Sequence, residues 1–427
     1  MSGGIFIAGA RLIDPASGRD REGDLRVENG VIDAIGPGLS PDAEDQIIEA
    51  DGAALSPALI DIGARAAEPG RSGIESLDTT IRAAAAAGVG TLALSSSSGA
   101  GLTRPEDIDW ISFRALQAPV RLLGAARTHT QAGDMAEIGL MLRAGAALVS
   151  DGGDLIADTR FLRNLLSYAS AFDAWVGLTA EDTHLSAGTI AHESAMAVRL
   201  GLSARPGISQ RLGVERLAAL AELTGARILF ERLTTADGLD AMKTARKRGL
   251  DVAASAPLTH LLFNEVDMGG LDPAYRLDPP LRSEADRQAL LAAIADGLID
   301  VIVSDHTPVA LEAKANPFSD AAPGSSSLEA LIPVLCTLDA DGQLPLAAGL
   351  KALTSNPAEL LGLPQGRLEE GAPADLVLFD PQAPNVYGKD GLESPAPSAF
   401  SGRRLQGRVL LSVVDGAMVY ARPGFAE

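Results

Sequence analysis

Apolar and polar residues follow two different rhythms along this chain. Residues 1 to about 55 alternate in short bursts (Ile5-Phe6-Ile7, Ala10 to Asp14, Asp24 to Val27, Gly30 to Gly36) broken by glycines and an Asp-Pro step. That texture predicts a small antiparallel sheet. It returns at 371–380 and 408–416, so the two ends are expected to build one composite β-sandwich domain from segments 1–56 and 363–427. Between them, over 57–362, short apolar runs alternate with helix-length segments. Strands are predicted at 59–62, 91–95, 120–124, 146–150, 174–178, 227–232, 251–256 and 300–304. Helices are predicted at 77–87, 239–248, 284–295 and 328–337. Short, continuously apolar strands suit a sheet covered on both faces. Eight of them, each followed by a helix, make a closed parallel (β/α)8 TIM-type barrel, an α/β fold. An open doubly wound sheet is the competing arrangement, but no Gly-x-Gly-x-x-Gly follows the first strand. The Pro- and Gly-rich stretch 385–402 reads as a surface connection.

Composition narrows the function. An apolar content of 46% in 427 residues supports a large core, and no stretch is long and apolar enough to cross a bilayer. The net charge of −21 argues against nucleic acid and anionic membrane, since both need clustered Lys and Arg. Met1-Ser2-Gly3-Gly4 lacks the basic start and apolar core of a signal peptide. The single cysteine, Cys336, excludes an internal disulfide and fits a cytoplasmic protein. It lies in an apolar run, which predicts a buried, inert thiol.

The most informative stretch is Pro57 to Gly70, an apolar strand that stops abruptly in small and charged residues. Its framing residues resemble the first-strand signature of dihydroorotases and related cyclic amidohydrolases. Further segments carry the same resemblance. They are Glu181-Asp182, Arg199 to Leu202, Glu222 to Gly225, Asp278-Pro279-Pro280-Leu281-Arg282, Asp300 to Pro308, Asn356-Pro357-Ala358 and Val414-Asp415-Gly416. The resemblance spans nearly the whole chain and implies a barrel of the metal-dependent amidohydrolase type.

It also implies what should stand at each functional position, and most of that chemistry is replaced. The two imidazoles expected after the first strand fall on Gly63 and Arg65, and the substrate-gripping arginine falls on Ala67. The fifth-strand imidazole falls on Thr179 and the sixth-strand imidazole on Arg232. The substrate-holding asparagine positions fall on Ser97 and Asp278, and the histidine closing the eighth-strand motif falls on Val309. Asp305, the catalytic aspartate position, persists in vestigial form. Asp151 is the one group near the fourth-strand position able to coordinate, and Asp61, Glu68, Glu181, His260 and His306 are expected to remain around the pocket. Of these, Asp61 is expected to anchor its strand end, Glu68 to shape the Pro69-Gly70 turn, and His260 to pack structurally.

Arginine keeps its proton at every working pH and has no lone pair to give a cation. Without several converging N, O or S ligands no catalytic zinc can be held, and an attacking water keeps its high pKa. The expectation is therefore no metal, with Arg65 or Arg232 pairing Asp305 in place of the ion. The resemblance extends to non-catalytic dihydroorotase homologues that associate with aspartate transcarbamoylase in pyrimidine synthesis. It implies that partner and an oligomeric assembly. The alternatives are an active zinc-dependent hydrolase of dihydroorotate or another cyclic amide with rearranged ligands, and a sensor binding a small anion between Arg65 and Arg232. His129, His260 and His306 with Asp305 are the residues from which a different metal site would be drawn. His184 and His192 are expected at the surface.

Overall fold

The computed structural model describes residues 4–70 and 74–425. The first three residues of the signal-peptide reading lie outside them. Eight parallel strands enclose the middle of the chain: Leu59–Ala64, Val89–Leu94, Arg121–Gly124 continued by Ala126–Arg127, Val149–Ser150, Trp175–Thr179, Arg227–Glu231, Val252–Pro257 and Val301–Val303. Two of them differ from the sequence pattern. The third is divided at Ala125, its first part pairing with the second strand and its second part with the fourth. The fourth keeps only Val149 and Ser150, shorter than the apolar run 146–150.

Parallel ladders link neighbouring strands in two sheets, and side chains fill the space they enclose. Ile60, Ile62, Ala93, Leu229, Ala253, Val301 and Val303 form one buried apolar cluster, as the packed interior of such a barrel requires. Between the eighth and first strands, the buried Asp61 carboxylate accepts from Ser304 N at 2.9 Å and Ser304 Oγ at 2.5 Å. Gly63 stands beside this seam because an added Cβ would lie 2.6 Å from Val303 Cβ.

The helices follow local signals. Ser76 caps Leu77–Ala86 by accepting from Thr79 N, and Ser283 caps Glu284–Ala295 by accepting from Asp286 N. Each cap satisfies a backbone donor that the first turn leaves free. Leu77, Ile81, Ala83, Ala84 and Ala85 of the first helix are buried. No helix among the described residues is long and apolar enough to cross a membrane.

A second sheet of eight strands is made from both ends of the chain, in the order Ala417–Ala421, Arg404–Val414, Leu376–Val386, Ala54–Pro57, Ile5–Asp14, Arg19–Glu28, Val31–Gly36, with Gln46–Glu49 paired to Ile5–Asp14. The segment 385–402 is a correction to the sequence reading. Tyr387, Ser394, Ser398, Ala399 and Phe400 are buried. Ser394 Oγ donates to Glu75 Oε2 at 2.6 Å, and Ser398 Oγ donates to Ser326 O at 2.5 Å. The segment's glycines and Pro395 stay exposed, while these serines, Ala399 and the two aromatic residues pack inward.

Candidate functional site

The barrel interior is apolar in its lower part and becomes ionic where the strands end. Arg65 follows the first strand, Ser150 ends the fourth, Glu231 ends the sixth with Arg232 next, and Asp305 follows the eighth. Together with Ser95 and Ser255 they line a narrow inner cavity of about 30 Å³, room for about two waters. Arg65 and Gly152 also line a vestibule of about 700 Å³ outside it, walled by Ser97, Thr103, Arg127 and His129. The strand ends thus deliver their side chains to one face, as in barrel enzymes generally.

Arg232 and Asp305 form the central pair, with Nη1 3.6 Å from Oδ1. Arg232 Nη1 also donates to Asp278 O at 3.0 Å. Both residues have left-handed backbone, φ 56° for Arg232 and φ 50° for Asp305. Such conformations cost on the order of 1–3 kcal/mol each in non-glycine residues and persist only where surroundings impose them. Ser255 helps to impose the first, its Oγ accepting from Arg232 N at 3.0 Å and its carbonyl accepting from Leu233 N at 2.8 Å. Burial works to lower the Arg232 pKa, but the Asp305, Asp278 and Glu231 charges together raise it. Burial pushes the Asp305 carboxyl up, opposed by Arg232 and Arg65.

Arg65 takes a different partner. Its Nη2 donates to Gly152 O at 3.0 Å, and no carboxylate among the described residues lies within ion-pair distance of it. Burial, and then the neighbouring Arg232 charge, lower its pKa. Gly153 makes this crowding possible, since a Cβ there would meet Arg232 Nη2 at 2.6 Å and Arg65 Nη2 at 2.8 Å. Of the two arginines expected to face Asp305, Arg232 pairs with it and Arg65 does not.

Sequence reasoning missed Glu231. Its Oε1 accepts from Ser150 Oγ at 2.7 Å, and its charge acts on the neighbouring Asp151 carboxyl. Burial first, then Glu231, pushes Asp151 up to about 7, and burial also raises Glu231. Asp151 holds the fifth-strand end, accepting from Thr179 N at 2.6 Å, Thr179 Oγ1 at 3.0 Å and Gly153 N at 2.9 Å. Thr179 therefore supports Asp151 from the position where an imidazole was expected. The available signal was strand alternation: Glu231, like Leu229, is an inward position of the sixth strand.

Several residues grouped with the pocket lie elsewhere, and each has a physical reason. Asp61 serves the barrel seam. Glu68 Oε2 accepts from Leu77 N at 2.8 Å and shapes the loop into the first helix. His306 is fully buried, its Nδ1 accepting from Ser327 N at 3.1 Å while Nε2 sits 3.3 Å from Glu75 Oε1. His260 lies 3.1 Å from Pro280 O through Nε2, and burial lowers its pKa to about 3. Ala67 and Val309 are buried and line neither cavity. Ser97 faces the vestibule. Asp278 stands at the vestibule rim, accepting from Arg205 Nη2 at 2.9 Å. Glu181 is buried between Arg205 and Arg282, with Arg282 Nη2 at 2.7 Å. His129 lies at the mouth, 3.0 Å from Asp154 Oδ2. His184 is exposed, but His192 is half-buried, with Nε2 3.7 Å from Asp286 Oδ2.

The donor set does not fit zinc. No three His, Cys, Asp or Glu side chains among the described residues converge as a metal cluster. His129, His260 and His306 each face a different partner, so the histidine-based alternative site does not assemble. At the centre two guanidinium groups occupy the space where a cation would have to settle, and each repels it.

A closed parallel barrel carrying a β sheet built from both chain ends defines an amidohydrolase architecture, and the chain belongs to the amidohydrolase family, whose model matches residues 183–419. Within that family it is similar to a dihydroorotase-like protein of Pseudomonas aeruginosa, 36% identical over 419 residues, covering 97% of this chain and 99% of the relative. It is also similar to a dihydroorotase of Anaplasma phagocytophilum, 33% identical, covering 96% of this chain and 94% of the relative. The fold resembles that of the L-hydantoinase (dihydropyrimidinase) from Arthrobacter aurescens, with a TM-score of 0.85 at 21% identity and coverage of 98% and 96%.

Proposed function

We propose that this chain is a dihydroorotase homologue that has lost hydrolysis and serves as a structural or regulatory partner of the aspartate transcarbamoylase catalytic subunit in pyrimidine synthesis. The observation that carries the reading is the Arg232–Asp305 pair, which puts a permanent cation against the one persisting catalytic-type carboxylate. A side chain that supplies positive charge without an open coordination site neutralises Asp305 but cannot generate hydroxide. The partner rests on the sequence resemblance to non-catalytic homologues alone.

Two measurements test this. Elemental analysis of purified protein should give far less than one zinc per chain, and dihydroorotate hydrolysis should stay at background. Co-expression with an aspartate transcarbamoylase catalytic chain should give a complex on gel filtration. Stoichiometric zinc with turnover would remove the reading, and two separate peaks would remove the partnership. A second reading, an active zinc-dependent dihydroorotase or other cyclic-amide hydrolase with rearranged ligands, is favoured by similarity over nearly the whole chain to proteins named dihydroorotase.

A further inference from the structure

The eight-stranded sheet has two ends, and they are finished differently. At one end Val31–Gly36 is partly covered, with Ile32 N donating to Ala372 O at 2.9 Å and Gly371 N donating to Ile32 O at 2.8 Å. At the other end Ala417–Ala421 pairs with Arg404–Val414 alone. Its sequence, Ala417-Met418-Val419-Tyr420-Ala421, contains neither charge nor proline, two of the usual guards of an open edge. Arg422 N donates to Leu410 O at 2.9 Å, so by antiparallel alternation Ala421 turns its own N–H and C=O away from the sheet. The register step between Ser412 and Val413 leaves Val419 without a partner across the ladder.

A groove of about 750 Å³ opens beside this edge and shares no lining residue with either barrel cavity. Residues 419–423 line it without a gap. Successive side chains of a strand point to opposite faces, so an unbroken run means that the strand's edge itself borders the groove. Ala85 and Ala86 of the Leu77–Ala86 helix, with Leu392, add apolar lining. The charges in the groove do not balance. Arg82 Nε lies 3.0 Å from Glu393 Oε2, and Arg422 Nη2 lies 3.1 Å from Asp390 Oδ2. Glu329 accepts from Glu393 N at 3.0 Å and from Ser394 N at 3.4 Å, but no cationic side chain among the described residues lies within ion-pair distance of it. Burial, with a smaller push from Glu393, raises its carboxyl to about 7, as expected of an acid short of positive charge.

We propose that this edge and groove bind an extended segment of a partner polypeptide that carries a lysine, its backbone pairing with the open edge at Ala421 and its ammonium group reaching Glu329. Strand addition of this kind takes affinity from main-chain hydrogen bonds and selectivity from the pocket that receives a side chain. The charge left unmatched in the groove is negative, so the incoming side chain is a cation. A lysine lays an apolar stem along Ala85, Ala86 and Leu392 and ends in a compact charge. The site stands apart from the barrel mouth, and it holds whether or not the barrel turns over a substrate.

Acetylated and amidated peptides of sequence Thr-Val-X-Val-Thr, with X as lysine, norleucine or glutamate, provide the test when titrated into the full-length protein by calorimetry. The lysine peptide should bind saturably, with Kd of about 1 mM or tighter. Norleucine keeps the stem and loses the charge, and it should weaken binding about fivefold. Glutamate should weaken it further. E329Q should bring the lysine and norleucine peptides to within about twofold of each other. N-methylation of alternate backbone amides in the lysine peptide should abolish binding, because the ladder then lacks its donors. n-Butylammonium, which has no backbone to pair, should bind at least about tenfold more weakly than the lysine peptide. A urea midpoint for E329Q separates lost binding from lost folding, and the peptide comparison on the parent protein needs no variant. Absence of saturable binding by the lysine peptide, equal binding of norleucine, or unchanged discrimination in E329Q would overturn the inference. So would an N-methylated peptide or n-butylammonium that binds as well as the lysine peptide.

Discussion

Replacing Gly63 by alanine is the most direct probe of why an imidazole cannot stand after the first strand. The new Cβ would lie 2.6 Å from Val303 Cβ and about as close to its two methyls, at 3.0 and 3.1 Å. Carbon atoms pack best near 3.5–4.0 Å, so the two strands must separate by roughly 1 Å or the alanine must distort. Overpacking of this kind costs about 1–3 kcal/mol. The smaller unfolded-state entropy of alanine returns about 0.4–1 kcal/mol, leaving a net loss of about 1–2 kcal/mol. Urea unfolding followed by fluorescence and circular dichroism should show a lower midpoint with an unchanged slope. The partner substitution sharpens the test. V303A should give little relief, because the atom in conflict is the Cβ that alanine retains. V303G should relieve it, giving a coupling of about 1 kcal/mol in a double-mutant cycle. A G63A protein as stable as the parent, or strict additivity with V303G, would refute the steric argument. A histidine at this position meets the same steric obstacle.

Other expectations concern the ionic interior. R232M should destabilise the protein by about 3–5 kcal/mol, since breaking a buried pair leaves Asp305 without its cation; adding D305N should recover part of that loss, measured by urea midpoint. Asp151 has a folded-state pKa of about 7, above its unfolded value near 3.9. The folded state therefore binds more protons between these values, and this contribution is fully present below pH 4 and lost as pH rises through 7. E231Q should flatten that slope in urea midpoints measured across the window, because it removes the neighbouring charge. Cys336 is buried, and burial pushes its thiol up to about 12. It should therefore stay unreactive to a thiol reagent in buffer and titrate as one thiol in denaturant. K314M removes three donations from Nζ, to Arg276 O, Ala322 O and Gly324 O at 2.9, 3.1 and 2.7 Å. Protease should then cut the 307–325 loop faster.

What could be read from residues alone was largely periodicity and end signals. The helix over 284–295 was legible because Ser283 precedes it with acidic residues in the first turn. The barrel strands were legible as short apolar runs. The division of the third strand at Ala125 was not, since alanine carries no mark of a shifted ladder. The segment 385–402 misled in part because its prolines and glycines were taken as signs of exposure, whereas the hydroxyls of Ser394 and Ser398 between them find partners inside. Asp305 and Arg232 were legible as charges at strand ends. Their left-handed backbone was not, nor was the partner choice of Arg65, which depends on where the Gly152 carbonyl points. Glu231 went unnoticed because it precedes an arginine at the position of interest, although its inward phase in the strand marked it.

The hydroxyl of Ser394 ties the last stretch of chain to Glu75 in the first barrel loop, and Glu75 in turn faces His306 beside the ionic pair. Trimming the polypeptide after the barrel would therefore remove more than an appendage. It would strip a buried acid of one of its two hydroxyl donors, leaving only Thr80. Any shortened version should be assessed first for folding, before silence in a binding experiment is blamed on the missing surface.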